Sequence, residues 1–147
     1  MQLTPKTRKV NRVFIHCSAS DRMTDDDVSV IKKWHTSPDP KDKSKPWSDV
    51  GYHFFIKQGG TLQQGRNIEV VPAAQEGNNT GTIAICCAGL TTFSEAQFKS
   101  LRELCHAIKT NLPDVTFHGH CEVSSKTCPV FDYRKVLNLD SLGRIRD

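Results

Sequence analysis

Short apolar runs alternate along the chain with longer amphipathic stretches, and segments rich in glycine, proline and charge separate them. Arg12-Val13-Phe14-Ile15-His16 reads as a strand that leaves the core at Cys17-Ser18-Ala19-Ser20. A helix is expected next: Thr24 is placed to cap it, Asp27 stands at the capping-box position, and Val28, Ile31 and Trp34 recur at helical spacing. Residues 36–49, dense in proline, lysine and aspartate, read as an exposed loop. Gly51-Tyr52-His53-Phe54-Phe55-Ile56-Lys57 predicts a second strand, which Gly59-Gly60 turns into Thr61-Leu62-Gln63-Gln64. Thr82-Ile83-Ala84-Ile85-Cys86-Cys87-Ala88 predicts a buried strand.

The strongest helix signal begins at Ser94, which Gln97 answers three residues on, while Phe93 is placed to staple to Phe98. Phe98, Leu101, Leu104, Cys105 and Ile108 then form one apolar face. Val115-Thr116-Phe117-His118 predicts a short last strand, and residues 133–139 a short terminal helix. Strands interleaved with helices in this way predict an α/β fold: a single domain with a mixed central β-sheet flanked by helices.

A length of 147 residues fits that one domain and buries enough core to fold without a disulfide or metal staple. Hydrophobic and charged contents of 37% and 24% argue against disorder as the dominant state. No apolar run approaches the roughly 18 residues a membrane span requires, and no signal-peptide pattern opens the chain. The expectation is a monomer made in the cytosol with no membrane partner. Lys6, Arg8 and Lys9 make residues 1–11 a basic arm, which Arg12 continues into the first strand, within a net charge of +4. Such an arm suits an anionic partner or simply stays solvated. No aromatic residues interleave it in the manner of a nucleic-acid reader.

Cysteines occupy positions 17, 86, 87, 105, 121 and 128, and no pair has CxxC spacing, which excludes a zinc ribbon and a thioredoxin motif. Polar chemistry concentrates at strand ends: His16 and Cys17 close the first strand, Tyr52 and His53 open the second, and His118, His120, Cys121, Glu122, Lys126 and Cys128 follow the last. His120 and Cys128 can fold back to grip one ion, with His16 as a third ligand, and a catalytic zinc uses three protein ligands and one open position. Spacing alone leaves open whether these side chains bind metal or merely pack.

Three segments narrow the choice. Phe14-Ile15-His16-Cys17-Ser18-Ala19, Trp47-Ser48-Asp49-Val50-Gly51-Tyr52-His53-Phe54 and His120-Cys121-Glu122-Val123-Ser124-Ser125-Lys126-Thr127-Cys128-Pro129 resemble, in order, the N-acetylmuramoyl-L-alanine amidases of the phage T7 lysozyme type. That is the amidase-2 family, related to peptidoglycan recognition proteins. The resemblance runs from about Val13 to Phe131 and implies a catalytic domain over residues 12–147. It implies one zinc ion on His16, His120 and Cys128, and catalytic roles for Tyr52 and Lys126. The implied reaction is hydrolysis of the amide joining N-acetylmuramic acid to L-alanine in bacterial peptidoglycan. Asn79 and Thr82 match a polar pair before the buried strand and are expected at the substrate. Where many relatives carry a histidine ahead of that strand, this chain has Ala74, and the 36–45 loop is longer than in the T7 type.

The resemblance also brings rivals. Non-catalytic recognition modules share the fold and lack the cysteine ligand, and recycling amidases of small muropeptides carry aspartate in its place. Cys128 with Lys126 therefore favours a phage or prophage endolysin, active on the wall after release from the host cytoplasm through a holin or another export route. A secreted antibacterial effector is an alternative. Inhibition of a phage RNA polymerase is a second partnership known in this type, and a purely structural zinc site is the plainest alternative.

Overall fold

The computed structural model describes residues 1–146. Its elements follow in the order β1 Arg12–Cys17, α1 Val28–His35, β2 Phe54–Ile56, β3 Leu62–Gln64, β4 Thr82–Cys87, α2 Glu95–Asn111, β5 Thr116–Gly119 and α3 Tyr133–Val136. The strands form one five-stranded sheet in the order β3-β2-β4-β1-β5. β1 runs parallel to both β4 and β5, β2 runs parallel to β4, and only the edge strand β3 is antiparallel, against β2. The predicted mixed sheet is thus present.

The three interior strands, β2, β4 and β1, carry the apolar runs, and the reason is burial on both faces. Every residue of β4 is buried, as is all of β1 after Arg12. Alternation then divides the side chains. Val13, Ile15, Ile83, Ile85 and Cys87 join Phe54, Ile56 and Phe117 against Leu101, Leu104, Cys105 and Ile108 of α2. Phe55 and Cys86 point the other way, into a smaller cluster with Ile31 of α1, Val50 and Ala88, on which Tyr52 packs. Each fully buried Phe, Ile or Leu contributes roughly 1.5–3 kcal/mol relative to exposure. The sheet is therefore held from both sides, and its strand ends are rigid points from which to project polar groups.

Local signals decide where the helices begin. Ser94 caps α2 by accepting from the backbone of Gln97 at 3.1 Å, and the Gln97 side chain returns the bond at 2.9 Å. The rings of Phe93 and Phe98 stack 6.4 Å apart, as the staple predicts. α1 starts later than expected. Met23–Asp25 forms a separate 3-10 turn, so Thr24 is not the cap; Asp27 is, accepting from Ser29 N at 2.9 Å. The Gln63 side chain also takes the Val28 N–H at 2.8 Å, which fixes the start of α1 to β3. The second strand is shorter than the apolar run suggested: His53 N still donates to Ala84 O, but the carbonyls of His53 and Tyr52 are taken by Gly65 N and Arg66 N.

Residues 1–11 lie along the domain. Leu3 and Val10 pack on the main core, and Glu69 accepts from the backbone of Lys6 and Thr7. The Arg8 guanidinium donates to the carbonyls of Ile68 and Thr82, each at 2.9 Å. All six cysteines are free thiols, and no described helix is long and apolar enough to cross a membrane.

Gly51 joins the sheet to the 71–79 segment. Its carbonyl accepts from Ala73 N at 3.1 Å, and a Cβ built on it would stand 2.1 Å from the carbonyl oxygen of Ala73. Backbone cannot yield as a flexible side chain can. Gly51→Ala should therefore destabilise the protein by about 2–3 kcal/mol, within the range for overpacking. Chemical denaturation checks this; an unchanged midpoint would show that the 71–79 segment is not held in this contact.

Candidate metal centre and cleft

The parallel register of β1 and β5 ends with Ile15 opposite Gly119. The next residue on each strand is a histidine, His16 on one and His120 on the other, and both emerge at the carboxyl ends of their strands. Their rings lie 4.6 Å apart, centroid to centroid. Gly119 is required here, because a Cβ on it would come within 2.4 Å of the Tyr133 ring. The 3-10 turn His120–Glu122 follows directly, and Glu122 locks it by accepting from Gly119 N at 3.0 Å and from the Tyr133 hydroxyl. His118 closes this network with a 2.9 Å contact to Glu122. It shares the sheet face of Phe14 and His16, yet its ring is engaged by Thr116 and Glu122 rather than by the cluster.

Cys128 arrives by a loop that folds back on this turn, with Cys121 N donating to Cys128 O at 2.8 Å. Its sulfur accepts from Cys17 N at 3.1 Å and stands 3.9 Å from His16 Nδ1. Ligand atoms of His16, His120 and Cys128 all lie within 4.8 Å of one another. Among the described residues, no other group of three His, Cys, Asp or Glu side chains is arranged to hold an ion. Two imidazoles and one thiol are a donor set that zinc accepts, and a set of three leaves a tetrahedral position open.

Burial sets the charge states. His16 is buried, and desolvation, helped by His120 and Lys126, lowers its pKa to about 3. His120 is lowered by burial and then by the Lys126 charge. Both rings are therefore neutral near pH 7, the state a metal requires. The hydrogen bond between the Cys17 and Cys128 side chains pulls the Cys17 thiol down to about 7 and, with burial, holds the Cys128 thiol up. Only a cation would make a thiolate at Cys128 favourable in this environment.

Tyr52 stands beside the cluster, its ring 5.1 Å from that of His16. Burial raises its pKa well above the ordinary tyrosine value, so it remains a protonated donor. His35, whose Nδ1 accepts from Gly51 N at 2.8 Å, packs between Trp47 and Tyr52 at 4.7 and 5.5 Å. His53 faces away, with Nε2 on Val70 O at 2.7 Å and Nδ1 accepting from Ala84 N at 3.1 Å.

A cleft of about 720 Å³ opens beside the cluster at His120. His120, Lys126, Asn79 and Ala74 line it, with Trp47 and Asp42 from the long 36–49 loop forming a wall. The structure thus brings His16, His120, Cys128, Tyr52 and Lys126 to one place. Thr82 is elsewhere: it is fully buried, and its hydroxyl donates to Asn79 O at 2.8 Å. Asn79 reaches the cleft while its Oδ1 accepts from the backbone of Ala74 and Gln75, each at 3.0 Å.

Sequence reasoning missed two residues. Gln75 is fully buried with Oε1 2.8 Å from His16 Nε2, and Arg66 spreads its guanidinium over the carbonyls of Val50, Val71 and Asp49. Nothing local marks either one, since their partners come from distant loops.

The pattern of the N-acetylmuramoyl-L-alanine amidase family matches residues 6–131. The chain is 34% identical to the endolysin of Escherichia phage T7 over 131 residues, spanning 84% of this chain and 82% of that protein. It is 31% identical to the endolysin of Klebsiella phage KP32 over 138 residues, spanning 88% and 87%. In fold it is similar to the N-acetylmuramoyl-L-alanine amidase LysC from Clostridium intestinale, with a TM-score of 0.75, 24% identity and coverage of 90% and 85%.

Three buried histidines predict how the metal-free protein responds to acid. His16 is lowered to about 3, and His35 and His53 to about 4, burial being the main cause for each. In this window the unfolded chain binds more protons than the native state, because an ordinary histidine titrates near 6.5. Stability should be fully present above about pH 6.5 and fall as the pH drops toward 4. Thermal unfolding of the metal-free protein across that range checks the sign; a Tm flat from pH 7 to 4 would contradict it.

Proposed function

The chain belongs to the N-acetylmuramoyl-L-alanine amidase family, and from that premise we propose that it is a zinc-dependent endolysin whose metal sits on His16, His120 and Cys128. The amidase activity follows from the family. The observation that carries the metal reading is the convergence of two neutral imidazoles and one thiol within 4.8 Å, beside the cleft that His120 lines.

Bacterial peptidoglycan is the substrate, and the cleft of about 720 Å³ beside His120 is the place for its glycan–peptide junction. Zinc in such a site supplies a Lewis acid that activates water and polarises an amide carbonyl. The protein's own groups complete the chemistry. Lys126, a cation on the cleft wall, stabilises the negative oxygen that develops as the amide carbonyl between the lactyl group and L-alanine becomes tetrahedral. Tyr52, kept protonated by burial and packed against the His16 ring, would be a donor for orienting the reacting groups. Trp47 contributes an aromatic side chain to the cleft lining. Asn79 shapes the opposite wall through its bonds to Ala74 and Gln75.

A recognition module that binds wall fragments without cutting them would need neither the thiol nor the lysine. Both are present, the thiol in the cluster with His120 and the lysine on the cleft that His120 also lines, which favours catalysis. Release from the producing cell would require a route through its membrane, since the activity is directed at the wall outside.

Purified wild type should bind about one equivalent of zinc and release new L-alanine amino termini from peptidoglycan. Cys128→Ala should lose both. Lys126→Ala should keep its zinc while kcat falls by about 10²–10³-fold, the usual effect of removing an oxyanion-stabilising group. A wild type that binds wall fragments, holds no metal and releases no amino termini would sink the proposal.

A further inference from the structure

The buried amide of Gln75 has three polar neighbours whose roles cannot be exchanged. The carbonyl oxygen of Asn78, 3.3 Å from Gln75 Nε2, can only accept. The Thr82 hydroxyl gives its single proton to Asn79 O at 2.8 Å, so its oxygen is left to accept from Gln75 Nε2 at 2.7 Å. Both contacts demand nitrogen at that end of the amide. The amide oxygen therefore faces His16, with Oε1 2.8 Å from the ring Nε2. An amide oxygen only accepts, so the His16 proton belongs on Nε2. The Nδ1 lone pair is then presented on the side where the Cys128 sulfur lies, 3.9 Å away.

We propose that Gln75 is a positioning residue: it fixes the Nε2-protonated tautomer of His16 before any metal arrives and so presets Nδ1 as a ligand atom. The inference rests on the metal site proposed above. The wrong tautomer would place a proton on Nδ1 and block the ligand. It would also set the Nε2 lone pair against the Gln75 oxygen, two acceptors facing each other in a buried site. The polarity is fixed by a chain of donors running from His16 through Gln75 and Thr82 to the Asn79 carbonyl. Asn79 closes this chain at the other end, because its Oδ1 holds the Ala74 and Gln75 backbone. The neutral amide orients the ring without adding negative charge beside the thiol. A partner of this kind on a ligating histidine typically changes metal affinity by about 10–100-fold.

Two readouts test the assignment: the ¹⁵N spectrum of the His16 ring in metal-free protein, and zinc affinity by competition with a chelator. Wild type should show the Nε2-protonated tautomer. Gln75→Met should lose that preference and bind zinc about 10–100-fold more weakly. Should Gln75→Met fail to fold, Thr82→Val removes the shorter of the two contacts that hold the amide nitrogen and should weaken the preference for the Nε2-protonated tautomer. An Nδ1-protonated ring in wild type would overturn the proposal. So would a tautomer and a zinc affinity that neither Gln75→Met nor Thr82→Val moves. A wild type with the Nε2-protonated ring that takes up no zinc would instead overturn the metal site and leave the tautomer assignment standing.

Discussion

The parallel pairing of β1 with β5 is the constraint on which the site depends. It sets Ile15 opposite Gly119, and so sets His16 beside His120 at the same end of the sheet. Two residues far apart in sequence become neighbours through backbone hydrogen bonds and a shared apolar core rather than through any attraction of their own. A slip of one residue would turn one of the two histidines toward α2 and dismantle the pair. Register is specified strongly because both faces of β1 are buried. Val13 and Ile15 cannot exchange places with Phe14 and His16 without moving an imidazole into the main core.

The remaining components of the site are brought to this pair by loops that polar contacts make rigid. Glu122 binds Gly119 and Tyr133 and so holds the turn that presents His120. Burial pushes the Glu122 carboxyl up, but the hydrogen bonds from Tyr133, His118 and Gly119 outweigh it and leave the group ionised more readily than usual. Arg66 holds the carbonyls of Asp49, Val50 and Val71, fastening the end of the long 36–49 loop to the segment that carries Gln75. That segment also crosses Gly51 at backbone contact. The cleft walls and the inner surroundings of His16 are therefore one connected polar structure. Low polarity around it strengthens each hydrogen bond and raises the cost of leaving one unmade.

Much of this was legible in the sequence because the signals were local or ordered. Alternation and apolar runs located β1, β4 and α2, and the Ser94–Gln97 pair marked the start of α2 within one residue. Three motifs in order named the family; His16, His120 and Cys128 stand together, with Tyr52 against His16, and His120 and Lys126 line the neighbouring cleft. Less legible were features decided by distant partners. Asp27 prevailed over Thr24 as the cap of α1 because Gln63, from another strand, completes the first turn. β2 came out short because its chain bends at Tyr52 and His53 to meet residues 65–66. Gln75 carries no motif at all; its importance appears only when a loop 59 residues away in sequence folds over His16.

The most direct test of the account is X-ray absorption at the zinc edge on the wild-type protein loaded with one equivalent of metal. The account predicts a first shell of two imidazole nitrogens at about 2.0–2.1 Å, one sulfur at about 2.3 Å and one further light atom from solvent. A shell without sulfur, or one with two or more sulfurs, would contradict the assignment of His16, His120 and Cys128 as the metal's ligands.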